Sequence, residues 1–76
     1  MTLGGVRHPI KALGSRVRAH RKALGLSQEK LAHAADMHQT YVSSLEQGRR
    51  NPSFLSLLRI ARALKTTPAK LLGGIS

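Results

Sequence analysis

Cysteine is absent from this chain, acidic residues number three, and the only aromatic side chains are Tyr41 and Phe54. The first absence excludes a disulfide framework and fits a reducing cytosol. The second leaves 13 Lys and Arg almost unopposed, for a net charge of +10 on 76 residues. The third means that any core must be aliphatic. It also argues against reading of single-stranded RNA by exposed stacking aromatics, for which Tyr41 is the one candidate. No apolar run approaches the ~20 residues needed to span a bilayer. The start, "MTLGGVRHPI", has no long apolar stretch of the kind that marks a secretory signal. A cytoplasmic protein without a membrane segment is expected.

What is present is a small apolar set in a strongly basic chain. Hydrophobic residues make up 41%, chiefly Leu and Ala, which favour helix. A chain this short buries little more than half of its unfolded surface, so self-association would help its stability. The charge is unevenly spread: +6 over residues 1–25, −2 over 26–48 and +6 over 49–76. Glu29, Asp36 and Glu46 all fall in the central stretch. Such an excess of cations predicts a polyanionic partner. A membrane-active helix would set its cations opposite one wide apolar face. Here the apolar residues are divided among several capped segments, which implies a closed core.

Five short helices account for nearly the whole chain, so the fold class is all-α. Residues 1–9 read as an N-terminal arm, and residues 10–76 as one domain. Pro9 suits a first helical turn, after which Ile10, Leu13, Val17 and Leu24 form an apolar stripe interrupted at His20. Gly25 ends this helix. Ser27 caps a second, with Leu31, Ala32 and Ala35 inward, stopping near Asp36. A third runs from about Gln39 to Gln47, with Val42 and Leu45 inward and Gly48 as its stop. Ser53 caps a fourth, whose expected buried side is Phe54, Leu57, Leu58, Ala61 and Leu64. Thr67 followed by Pro68 opens a fifth through Leu72. Helices two and three are separated by so few residues that they must cross steeply, as in a helix-turn-helix. Met37 is expected to plug the inside of that corner.

The stretch "LGSRVRAHRKALGLSQEKLAHAADMHQTYVSSLEQGRRNPSFLSLLRIARALKTTPAKLL", Leu13 to Leu72, resembles the five-helix DNA-binding domain of phage repressors and Xre-type transcriptional regulators. "HQTYVSSLEQGRRNPS" is most similar to controller proteins of restriction–modification systems. The resemblance implies a compact five-helix bundle and a sequence-specific transcriptional regulator of double-stranded DNA, with no enzymatic activity and no cofactor. It also implies an Arg21–Glu46 salt bridge between helices one and three, and a homodimer that binds an inverted repeat. Leu71, Leu72 and Ile75 exceed what a two-turn terminal helix needs for docking, and are expected at the dimer interface. In one respect the chain departs from the family, which usually has glycine at the position of Asp36. Aspartate tolerates the left-handed region at modest cost, so the turn is expected to persist, with some strain or a shifted start to helix three.

The third helix is the expected reader of the major groove. Gln39, Thr40, Ser43 and Ser44 lie on or near its outward side, and Gln suits adenine while Ser and Thr contact several bases. Expected backbone contacts are Gln28 at the start of helix two, His38 and Tyr41 beside the reader, and Arg49, Arg50 and Asn51 after it. Arg59 and Arg62 are expected on a distal surface. His8, His20, His33 and His38 include no helical i, i+4 pair, so a metal site is not expected. Nor is there a glycine-rich nucleophile elbow. The alternatives are an antitoxin-type protein with a protein partner and a non-specific basic nucleic-acid binder.

Overall fold

The computed structural model describes residues 8–75. Within them the chain forms α1 (Pro9–Ala23), α2 (Gln28–Ala34), α3 (Gln39–Glu46), α4 (Phe54–Ala63) and α5 (Pro68–Leu72). Most of the expected arm, residues 1–7, lies outside the described residues. Its last residue, Pro9, is already the first of α1. Three helices start on side-chain caps. Ser27 Oγ accepts from the Lys30 N–H, Ser53 Oγ from the Ser56 N–H, and Thr67 Oγ1 from the Lys70 N–H.

Helices α1 to α4 all end in the same way. The N–H two residues past the cap returns to the third-last helical carbonyl, and the N–H just past the cap returns one residue later. The pairs are Leu26 to Arg21 and Gly25 to Lys22 after α1, and Met37 to Ala32 and Asp36 to His33 after α2. After α3 they are Arg49 to Ser44 and Gly48 to Leu45, and after α4 Thr66 to Ala61 and Lys65 to Arg62. This ending needs one residue at positive φ. Gly25 (70°) and Gly48 (75°) supply it twice, and Asp36 (56°) and Lys65 (57°) supply it twice more. Asp36 therefore keeps the turn, and α3 still begins at Gln39.

The core is aliphatic throughout: Leu13 and Val17 from α1, Leu31, Ala32 and Ala35 around α2, and Val42 and Leu45 from α3. Leu57, Ile60, Ala61 and Leu64 along α4 and Leu71 from α5 complete it. Met37 packs against this core from the α2–α3 corner. Three expectations need correction. Phe54 is 69% exposed and Leu58 only half-buried, while Ile60, absent from the expected face, is fully buried. The inward stripe of α4 runs Leu57, Ile60, Ala61, Leu64, and Phe54 at its first residue overhangs the end of that stripe. Leu24 is exposed because α1 has ended before it. The inward place one turn after Val17 belongs to Arg21, only 8% exposed. Finally, Leu71 is wholly buried where α5 meets α1 and α4. It is a monomer core residue and is not available to a dimer interface.

Candidate nucleic-acid interface

The α2–α3 corner presents α3 with one side in the core. Val42 and Leu45 point inward with no exposure. Successive residues turn about 100° around the axis, so the opposite side is built from Gln39, Thr40, Ser43, Ser44 and Gln47. Gln39, Thr40 and Gln47 are exposed, and Ser43 and Ser44 are half-buried. None of these five is charged, although the chain carries +10. The structure thus brings the four expected base-reading residues onto one face and adds Gln47, which the sequence reading missed. Its signal was the i, i+4 relation to Ser43: Gln47 Nε2 donates to Ser43 Oγ at 3.0 Å. His38, the residue before α3, is exposed and makes no side-chain cap bond.

Behind this face, one carboxylate joins three segments. Glu46 Oε2 accepts from Arg21 Nε at 2.6 Å, and Oε1 accepts from Arg21 Nη2 at 3.0 Å and from Gln28 Nε2 at 3.1 Å. Arg21 Nη1 donates onward to the Leu26 carbonyl at 2.8 Å. The side chains of Arg21 and Glu46 are 10% and 3% exposed. Their fork-on-fork geometry raises the Arg21 pKa above its usual value, chiefly through the hydrogen bond to Glu46, while burial opposes the rise. The pair fixes α1 against α3 and also pins Gln28, at the first turn of α2, beside the outward face of α3. The structure therefore places the expected Arg21–Glu46 contact and, next to it, one of the expected phosphate ligands.

The helices also approach very closely here. A Cβ on Gly14 would lie 2.4 Å from the Leu45 carbonyl oxygen and 2.9 Å from that of Glu46. Only glycine lets α1 cross α3 at this distance. Nothing in the sequence marks Gly14, since a glycine inside a helix more often signals weakness than contact.

Cations flank the far end of α3. Arg49, Arg50 and Asn51 are exposed just after Gly48. The Arg50 guanidinium carbon lies 5.4 Å from the centre of the half-buried Tyr41 ring, a cation–π distance that holds the charge next to the helix. The side chain of Lys11 runs against Gly48, where a Cβ would come within 2.5 Å of it. Lys11 thus joins this basic flank, unforeseen from sequence. Arg16 goes elsewhere: its Nη1 donates to the Leu71 carbonyl at 3.4 Å, at the end of α5.

The helix-turn-helix family model matches residues 17–71. The chain is similar to the control protein C.SmaI of Serratia marcescens. The two are 42% identical over 60 residues, covering 79% of this chain and 71% of that protein. Among solved structures, the restriction–modification controller protein C.AhdI of Aeromonas hydrophila superposes with a TM-score of 0.80 at 40% identity. That match covers 82% of this chain and 94% of the other. The P22 c2 repressor in complex with a synthetic operator superposes with a TM-score of 0.76 at 32% identity, with the same coverage.

Proposed function

The chain belongs to the helix-turn-helix family, and from that premise we propose a sequence-specific transcriptional regulator that reads the major groove of double-stranded DNA with α3. The observation that carries this is the uncharged, hydrogen-bonding outer face of α3 set among cations. An ordinary solvated face in so basic a chain would carry Lys or Arg. Gln39, Thr40, Ser43 and Ser44 are the base-reading residues. Gln28, His38, Tyr41, Arg49, Arg50 and Asn51 hold the phosphates on either side. Similarity to C.SmaI and C.AhdI favours a control role of the restriction–modification kind, exercised in the cytoplasm.

The test separates reading from clamping. Gln39→Ala should change which sequences are preferred, losing roughly 1–3 kcal/mol of discrimination at one base pair. Arg49→Ala should weaken all sequences alike and lower the salt slope by about 1. Both are compared on a cognate site, an altered site and random DNA across a salt series. Equal weakening of all three DNAs by Gln39→Ala would show that Gln39 does not read a base.

The proposed regulator acts as a homodimer on an inverted repeat. With Leu71 committed to the core, the surface for pairing is sought among what stays apolar and exposed: Phe54 (69%), Leu55 (64%), Leu24 (43%) and Leu72 (39%), with Ile75 half-buried. Sedimentation should show dimer at tens of micromolar protein, and Leu55→Glu should shift it to monomer. Monomer alone in the unaltered protein, free and on DNA, would exclude the dimer.

A further inference from the structure

We infer that Ser43 and Gln47 act together as a second base-reading unit that takes an adenine about three to four base pairs from the one met by Gln39. This rests on the reading of α3 as the groove helix and deepens it. Gln47 spends one amide N–H on Ser43 Oγ at 3.0 Å. Its carbonyl oxygen and its second N–H are left to pair with the N6 and N7 edge of adenine, the bidentate match of a glutamine side chain. Ser43 Oγ accepts from Gln47, and its hydroxyl proton can rotate to donate to a base edge.

Stability gives no reason for this pair. An exposed i, i+4 polar contact contributes only a few tenths of a kcal/mol, and serine is a poorer helix former than alanine. Both residues lie on the uncharged outer side of α3, between Gln39 and the basic flank of Arg49, Arg50 and Lys11. Eight residues separate Gln39 from Gln47, or about 12 Å of helix axis at 1.5 Å per residue. With base pairs about 3.4 Å apart, a reading helix aligned with the groove would put the two contacts about three to four base pairs apart in each half-site.

The experiment measures binding to a selected site and to each of its single-base-pair variants, for the unaltered protein, Gln47→Ala, Ser43→Ala and Gln39→Ala. Gln47 is exposed, so its replacement should leave the melting temperature unchanged. Gln47→Ala should lose about tenfold discrimination at one adenine per half-site, leaving the Gln39 position as selective as before. Ser43→Ala should lose part of the same discrimination at the same base pair. Uniform weakening across all variants, or no change, would overturn the inference. If Gln39→Ala alone alters preference, only this inference falls. If neither does, the reading of α3 as the groove helix falls with it.

Discussion

Glu46→Ala is expected to remove about 3–5 kcal/mol of folding stability, the loss typical when one member of a buried ion pair is deleted. For 76 residues the whole stability should be about 4–11 kcal/mol, so the variant stands close to unfolding. The size follows from what Glu46 leaves behind. Two Arg21 nitrogens and the Gln28 amide lose their acceptor at once. The guanidinium stays in a place almost closed to water, and an unpaired buried charge is far more costly than an exposed one. Pairs on the surface are worth only ~0.2–1 kcal/mol. Glu46→Gln, which keeps an acceptor but not the charge, should fall between. Urea unfolding of Arg21→Ala, Glu46→Ala and the double variant measures the coupling directly. No coupling in that cycle, or a loss of under about 0.5 kcal/mol for Glu46→Ala, would show that the network does not hold α1 to α3.

Gly14→Ala should also be severe, against the local preference of the chain. Inside an exposed helix the exchange would stabilise by about 1 kcal/mol. Here the new methyl meets the Leu45 and Glu46 carbonyl oxygens at 2.4 and 2.9 Å. Backbone oxygens cannot swing aside as a side chain can, so α1 and α3 must part. Overpacking costs about 1–3 kcal/mol and sometimes more. A clash with backbone belongs at the upper end, near 3 kcal/mol. In a domain of this size that lowers the melting temperature by more than about 10 °C. The parting also moves Glu46 away from Arg21, so operator affinity should drop even where the fold survives. A melting temperature equal to or above that of the unaltered protein would contradict the close crossing.

These two effects mark where the sequence was legible and where it was not. Helix starts were readable because capping is local: Ser27, Ser53 and the Thr67–Pro68 pair each serve an N–H within three residues or occupy a first turn. The ends at Gly25 and Gly48 were readable because positive φ selects glycine. Lys65 was not, since its backbone takes the same conformation with a residue that gives no sign of it. The face of α3 could be drawn from the spacing of Val42 and Leu45. Which of two adjacent leucines in α5 turns inward could not. Leu71 and Leu72 differ by a 100° rotation, and only the docking of α5 on α1 and α4 decides between them. Phe54 was misplaced for a related reason: periodicity says which side of α4 is inward, but not where the neighbouring helices stop. Arg21 took an inward place that hydrophobic patterning reserves for an apolar residue. Its partner lies 25 residues away, so the pairing came from family resemblance and not from spacing.

Whether α3 reads base sequence is decided by selecting bound molecules from a pool of random double-stranded DNA. The expected result is enrichment of an inverted repeat whose half-site centres lie about one DNA turn apart, ~34 Å, with adenine prominent in each half. Recovery of a pool still random after successive rounds, despite tight and salt-sensitive binding, would contradict it and leave a protein that holds phosphates without reading bases.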